Sequence, residues 1–171
     1  MTISRTHLLN LLLIVVLVVA VRIFFFGDKE KEKILKQLDV LQELVTKTGP
    51  EGGLTFVKKT TKLMTVFTDE AKVNFGPPLH QSAGREEIVA IYKMIKTGAD
   101  TISIKTSEKE IEVAPDKKNA RMTLTVKAEL RQGIDTAHET RNFEIFWAKP
   151  EKLWKIEEVK LLDTIRRPQS I

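Results

Sequence analysis

The chain has 171 residues, of which 42% are hydrophobic and 30% charged, and it has no cysteine. The lack of cysteine excludes disulfides, thiolate metal sites and a cysteine nucleophile. The net charge of +5 comes from 28 basic and 23 acidic residues that are mixed along the sequence. A nucleic-acid-binding protein concentrates its basic residues on one face, so we expect no nucleic-acid partner. Without its apolar N-terminus the chain has about 145 residues, enough for one ordinary domain with a core.

The N-terminus contains a long apolar run from Leu8 to Phe26. As a helix, this run would rise roughly 28 Å, close to the thickness of the hydrocarbon layer of a bilayer. Arg22 lies about one turn from its end, where a long basic side chain can reach the lipid headgroups. We therefore predict that residues 1–27 are a single-pass membrane anchor and that residues 8–26 contact the lipid bilayer.

A cleaved signal peptide is the alternative interpretation of the same run. Leu8–Val21 has the length of a signal-peptide core, and Val18 and Ala20 suit a signal peptidase. Cleavage after Ala20 would leave the apolar sequence VRIFFF at the new N-terminus, which favours a retained signal anchor. A strict count of positive charges places the domain in the cytoplasm. The short basic tail before the run is typical of export, and on that basis we expect an extracytoplasmic, periplasmic domain.

Three helices are predicted after the apolar run. The first lies in residues 28–48 and ends at Gly49–Pro50, and its charged first turns are predicted to be a solvated stalk. The second runs from about Glu51 to Phe67, and the third covers GREEIVAIYKMIKTG, with Ser82 as its N-cap. The predicted buried stripes are Ile34, Leu38, Leu41 and Val45 in the first helix, Leu54, Val57, Met64 and Phe67 in the second, and Ile88, Ile91, Tyr92 and Ile95 in the third.

The remaining residues predict strands. AKVNFG is a short strand before the third helix, and a long antiparallel meander follows that helix. In TISIKTSEKEIEVAP the inward parity changes between Ile104 and Ile111, which requires a bulge or an irregular stretch near Thr106–Glu110. In ARMTLTVKAEL, Met122 faces inward and Thr125 outward. Three helices and a meander with one apolar face predict an α+β domain, preceded here by an N-terminal transmembrane helix.

Three segments of the chain resemble a known superfamily: MTVFTDEAKVNFG, SAGREEIVAIYK and the strand that ends in AKPEKLWKIEEV. They resemble the nuclear transport factor 2-like superfamily, with its SnoaL-like and ketosteroid-isomerase-like branches, over about Asp28 to Asp163. The resemblance implies a cystatin-like cone, in which three helices pack on a curved antiparallel β-sheet and Trp147 and Trp154 pack near the closing hairpin. We therefore divide the chain into an anchor (1–27), a stalk with the first helix (28–48), the cone domain (49–165) and a C-terminal tail (166–171).

The resemblance also implies a pocket between the inner face of the sheet and the helices. If Phe143 and Trp147 face inward, Glu139 and Arg141 share that face, and Tyr92 of the third helix can reach the same mouth. These five are the candidate ligand-binding residues. A partly buried Glu139–Arg141 pair would bind a carboxylate or carbonyl ligand. The alternative is that both side chains are solvated at the end of the strand.

The sequence predicts no catalytic residue, no cofactor and no metal site. The three histidines lack the spacing of metal ligands, and there is no phosphate-binding loop or Ser–His–acid order. We expect a non-catalytic module in the cell envelope. Its partners would be a small apolar or carboxylate ligand, another protein, or a second copy bound through the sheet. The alternative is a small anchored isomerase, dehydratase or hydrolase, with Glu139 as base and Tyr92 or Arg141 as its electrostatic partner.

Overall fold

A computed structural model describes residues 29–74 and 81–162, except for the side chains of residues 81–83. Three helices are present in these ranges: α1 (residues 29–45), α2 (Gly53–Val66) and α3 (Arg85–Gly98). The strands are β1 (Phe67–Asn74), β2 (Gln81–Ala83), β3 (Thr101–Val113), β4 (Asn119–Gln132), β5 (Asp135–Ala148) and β6 (Lys155–Leu162). The predicted span at 8–26, the loop with His80 and the tail at 166–171 lie outside the described residues. Within those residues, no helix has both the length and the apolar character needed to cross a bilayer.

The strands form one curved mixed sheet in the order β2-β1-β6-β5-β4-β3. The predicted meander from β3 to β6 is confirmed, because each consecutive pair is antiparallel. The prediction of a purely antiparallel sheet is wrong, because β1 pairs with β6 in parallel. Local alternation of apolar residues determines which face of a strand is buried. It carries no information about the direction of a neighbour that lies far away along the chain.

The predicted irregularity in β3 is confirmed. The pairing of β3 with β4 shifts register between Ser107 and Glu110, and Glu108 has a φ of 51°. The Glu108 carboxylate lies 2.6 Å from the hydroxyl of Thr125, which is also 2.8 Å from the side-chain oxygen of Asn142. Thr125 faces outward as predicted but is only 8% exposed, because the bulge brings Glu108 over it.

The buried faces of the helices agree with the sequence for α3 and differ for α2. In α3, Ile88 and Tyr92 are buried, and the N-cap is Gly84 (φ 87°) rather than the predicted Ser82. Glycine adopts this positive φ without steric strain. The first half of the predicted stripe of α2 is wrong, since Leu54 and Val57 are exposed, whereas its second half is confirmed, since Phe67 is buried and Met64 packs against the core. The fully buried residues of helix α2 are Thr60, Leu63 and Val66.

The first turn of α1 packs on the closing hairpin of the sheet. Glu30 is buried there, and its Oε2 accepts hydrogen bonds from the Trp154 indole and the Lys149 ammonium, each at 2.8 Å. Lys33 binds the other carboxylate oxygen at 2.6 Å. The predicted solvated stalk is therefore docked at Glu30. The pattern KEKEK does not reveal this contact, because the partners lie more than a hundred residues later in the chain.

Candidate functional site

A cavity of about 260 Å³ lies between the three helices and the inner face of the sheet. Its volume is slightly below the range of about 300–1,000 Å³ that is usual for small-molecule sites. Most of its walls are aliphatic. The lining includes Leu41 and Val45 of α1, Ile91, Tyr92, Ile95 and Lys96 of α3, Ile104 and Thr106 of β3, Leu124 and Val126 of β4, and Phe143 and Ile145 of β5.

The periodicity of the elements explains why the cavity is apolar. Leu124 and Val126 are two residues apart on β4, so both point to the same face of the sheet. Leu124 pairs with Phe143 across the β4–β5 ladder, and this continues the apolar surface onto β5. On α3, Ile91 and Ile95 are four residues apart, so they lie on the same face of the helix, the one that lines the cavity. These elements therefore line the cavity with hydrocarbon.

Tyr92 contributes a hydroxyl group to the lining, and this hydroxyl already donates a hydrogen bond within the protein. The hydroxyl donates a 3.0 Å hydrogen bond to the Leu44 carbonyl oxygen, and the ring stacks on Phe56 with centroids 6.4 Å apart. Burial, with a smaller contribution from the Glu51 carboxylate, raises the pKa of Tyr92 to about 12. Tyr92 is therefore a neutral phenol that holds α3 against α1.

Lys96 is the cation of the lining, and it too is bound within the protein. Its ammonium lies 3.0 Å from both Glu51 Oε1 and the Thr46 carbonyl oxygen. Lys59 binds the same Glu51 oxygen at 2.7 Å. Burial lowers the pKa of Lys96, although Glu51 opposes this. Burial acts to raise the pKa of Glu51, but the two lysines outweigh it and the pKa is lowered.

The rim of the cavity contains one further polar contact. The Thr106 hydroxyl donates a 3.1 Å hydrogen bond to the side-chain oxygen of Gln42. Thr106 and Gln42 join β3 to α1 in this way. Every polar residue of the lining (Gln42, Tyr92, Lys96 and Thr106) therefore makes a hydrogen bond to the protein.

The structure brings two of the five predicted site residues to this cavity. Tyr92 and Phe143 line it. Trp147 is buried outside the lining, and its indole N–H has no hydrogen-bond partner among the described residues. Glu139 and Arg141 also lie outside the lining, with side chains 58% and 47% exposed, and they pair with each other.

The positions of Glu139 and Arg141 follow from the length of the β4–β5 hairpin. Arg141 pairs with Val126 in the ladder, so it is on the same face as Phe143, as parity predicts. Val126 and Phe143 are, however, the last residues of β4 and β5 towards the hairpin tip that line the cavity. Strand β5 continues past Phe143, so Arg141 lies at the edge of the cavity, opposite Val126, and Glu139 lies beyond that edge.

Sequence reasoning missed the ion-pair network around Glu51. Lys96 lies 45 residues from Glu51, and neither position belongs to a recognisable motif. The only available signal was that Lys96 follows the buried stripe of α3, four residues after Tyr92. A lysine at such a position requires a buried acidic partner, because burial of an unpaired charge is very costly.

Comparison with known proteins identifies the fold. No protein-family model matches the chain, and no curated protein matches it in sequence. Solved structures do match. A protein provisionally named a scytalone dehydratase, from Novosphingobium aromaticivorans, superposes with a TM-score of 0.64 at 16% identity, over 81% of this chain and 87% of that one. The chain therefore shares the fold of this structure, an α+β cone of helices packed on a curved mixed sheet.

Two further structures support this cone fold. A protein provisionally named a dehydratase of the NTF2-like family, from Streptomyces avermitilis, has a TM-score of 0.64 at 11% identity, over 78% of this chain and 96% of that one. A protein of unknown function with a cystatin-like fold, from Nostoc punctiforme, has a TM-score of 0.59 at 11% identity, over 81% and 93%. At these identities the likeness concerns the fold and does not extend to an activity.

Proposed function

We propose that this protein is a membrane-anchored, non-catalytic module that binds a small apolar ligand inside its cone. The observation that carries the proposal is the cavity of about 260 Å³ with walls of aliphatic and aromatic side chains. Such a surface binds hydrocarbon because burial of apolar area is favourable by about 25 cal/mol per Å². The polar residues of the lining are held by the protein, so they do not direct the ligand towards a reaction.

Acid–base chemistry requires a titratable side chain within hydrogen-bond reach of the ligand. Among residues 29–74 and 84–162, the titratable side chains of the lining are Tyr92 and Lys96, and both are engaged. The enzyme alternative placed Glu139 in the cavity as the base, whereas Glu139 is exposed and paired with Arg141. The names of the dehydratase-like neighbours describe those proteins, and this geometry favours binding for this chain.

The same geometry favours an uncharged ligand. A carboxylate inside the cavity would lose its hydration, which is costly without compensating donors. Arg141, which was predicted to supply such donors, lies outside the lining, and the Lys96 ammonium is bound by Glu51 and Thr46. We therefore propose a hydrocarbon chain or ring as the part of the ligand that enters the cone.

A photoactivatable decane that carries a diazirine tests this proposal on the full-length chain in lipid vesicles. Val126→Phe places an aromatic ring in the cavity, whereas Lys127→Phe adds the same ring at an exposed position next to it on β4. Val126→Phe should abolish most of the labelling of the cone domain, and Lys127→Phe should retain it. Equal labelling of both variants would show that the probe binds elsewhere.

We propose the membrane anchor on the sequence of residues 8–26. Full-length protein should remain in the membrane pellet after extraction at alkaline pH. Leu17→Arg, near the middle of the run, should weaken insertion by about 2.5–3.5 kcal/mol, whereas Leu17→Val should not. If the wild-type protein were instead soluble and began at Val21, the anchor proposal would be wrong and the signal-peptide alternative would be established.

A further inference from the structure

Strand β3 is the last strand of the sheet, so one of its sides is an edge. Among the described strands it pairs with β4 alone. The start of this edge is closed by Lys47, whose backbone exchanges two 2.8 Å hydrogen bonds with Ile102. From Ile104 to Val113, no segment of residues 29–74 and 81–162 pairs with the backbone on the side away from β4. We name this segment the β3 edge. A row of unpaired N–H and C=O groups can bind another strand.

The hydrogen bonds at the two ends of β3 show which backbone groups are open. Successive residues of an antiparallel strand direct these groups alternately to one neighbour and to the other side. Ile102 points away from β4, because it binds Lys47. At the other end Ala114 points towards β4, because its N–H binds the Asn119 carbonyl oxygen at 2.9 Å. Alternation from these fixed positions gives the residues that point away from β4: Ile104, Thr106, Ile111 and Val113.

An antiparallel pair of two β3 edges has one register that places all of these residues opposite one another. In that register Ile104 of one copy faces Val113 of the other, and Thr106 faces Ile111. Each such pair exchanges two hydrogen bonds, so the contact would contain about eight. The four side chains lie on the inner face of the sheet and are all half-buried, so the same register also brings side chains of one face together.

The irregular part of β3 favours a second copy over another kind of strand. The register shift lies between Ser107 and Glu110, and residues 107–110 of one copy would face residues 107–110 of the other. Because both strands carry the same irregularity at the twofold axis, the residues on either side of it stay aligned. An extended peptide of regular geometry would lose its alignment here, since a bulge bends and twists the strand that contains it.

The charges of the β3 edge are complementary in this register. Lys105 faces Glu112 of the second copy, the twofold axis makes this pair occur twice, and both side chains are exposed. Within one chain Lys105 lies opposite Lys127 of β4. Like charges directly opposite each other destabilise a sheet, and a carboxylate on the other side of Lys105 would offset this repulsion. The register follows from backbone groups alone, so the match of the charges supports it independently.

The contact also ends where no further backbone pairing is possible. The next pair in the same register would place Pro115 of one copy opposite Ile102 of the other. Proline has no N–H to donate, and the backbone groups of Ile102 are already bound by Lys47. The open groups of the two strands therefore begin and end at the same positions.

We propose that the β3 edge is a dimerisation surface, through which two copies of the chain pair antiparallel over Ile104–Val113. The two six-stranded sheets become one continuous sheet in this dimer. The contact is the same on both copies and is therefore closed, so it forms a dimer and not a filament. The proposal is independent of the cavity ligand and of the membrane anchor.

The absence of cysteine allows the register to be tested by disulfide formation. Positions 105 and 112 form a pair without mutual hydrogen bonds, whose Cα atoms lie about 4.5 Å apart, within the range of a disulfide. Full-length Lys105→Cys/Glu112→Cys in detergent micelles should give a covalent dimer on oxidation. Neither single variant should, because its two cysteines would lie roughly 20 Å apart. Equal linking of a single variant would contradict the register. If no variant is linked, the proposal is wrong.

Charge exchange tests the same contact without cysteine. Lys105→Glu and Glu112→Lys each place like charges opposite one another, so each should weaken the dimer roughly tenfold, as measured by light scattering of the full-length protein. Lys105→Glu/Glu112→Lys restores opposite charges and should restore the dimer. Lys93→Glu, at an exposed position of α3, is the control and should leave the dimer unchanged. A monomeric wild type, or a dimer that none of the variants weakens, would overturn the proposal.

Discussion

Replacement of Trp154 by alanine is expected to lower the free energy of unfolding by about 3–5 kcal/mol, the usual cost of truncating a buried large aromatic. Trp154 is buried in the closing hairpin, its indole N–H binds Glu30, and the Lys149 ammonium lies 5.6 Å from the centre of its ring. The substitution therefore leaves a cavity and also removes a donor from a buried carboxylate. Chemical denaturation of the full-length protein measures this loss, with Ile134→Ala at the exposed hairpin tip as the control that should not change the midpoint.

The two tryptophans allow the hydrogen bond to be separated from packing. Trp154→Phe keeps much of the aromatic surface but removes the N–H donor to Glu30. It should therefore lower the free energy of unfolding by about 1–3 kcal/mol more than the smaller ring alone would. Trp147→Phe removes an indole N–H that has no partner among the described residues, so it should cost less than Trp154→Phe. A larger loss for Trp147→Phe would contradict the assigned role of Glu30.

Replacement of Glu30 by alanine is the second substitution that should strongly lower the free energy of unfolding. Glu30 compensates the Lys149 ammonium and accepts the Trp154 N–H, and removal of one partner from a buried ion pair typically costs about 3–5 kcal/mol. The Lys33 side chain, which binds the other carboxylate oxygen, is 54% exposed and can return to water, so we expect a value near the lower end of this range. Glu32→Ala is the matched control, because Glu32 is exposed on the same turn and pairs with Lys36 at the surface. Equal unfolding midpoints for the two variants would contradict the docking of α1 on the hairpin.

The pH dependence of stability gives an independent test of Glu30. Burial acts to raise the pKa of Glu30, but hydrogen bonds from Lys149, Lys33 and Trp154 outweigh it and lower the pKa from 4.5 to about 2. The folded-state pKa lies below the unfolded one, so the contribution of Glu30 is present above pH 4.5 and is lost as the pH falls towards 2. The stability difference between wild type and Glu30→Gln should therefore shrink over this window. A difference that does not vary with pH would show that Glu30 is not ionised in the cluster.

The features predicted correctly are those that local periodicity determines. The alternation of apolar residues in β4 and β5 predicted the meander. The parity change before Ile111 predicted the irregularity that the structure places at Glu108. Ile88 and Tyr92 of α3 are buried as the helical period of their segment indicates. In each case the signal and the structure it specifies lie within about fifteen residues.

The features that were not predicted depend on contacts between distant residues. The parallel pairing of β1 with β6, the Glu30–Trp154 contact and the Lys96–Glu51 pair each join segments at least 45 residues apart. The apolar residues of α2 are compatible with more than one buried face. The face that packs in the structure is the one that carries Thr60 and Leu63. Parity assigned Arg141 to the correct face of β5, but it could not show that the cavity lining on this strand ends at Phe143.

The central claim is that the cone holds an apolar ligand between α3 and β4, and crystals of the full-length protein soaked with 1-bromodecane test it most directly. Bromine scatters anomalously, so its position can be measured without assumptions about the ligand. We expect an anomalous peak inside the cavity, in van der Waals contact with Ile91 and Leu124, and no such peak in Val126→Phe crystals. A wild-type cavity that is empty or collapsed after the soak, with bromine only beside residues 8–26 or near Glu139 and Arg141, would contradict it.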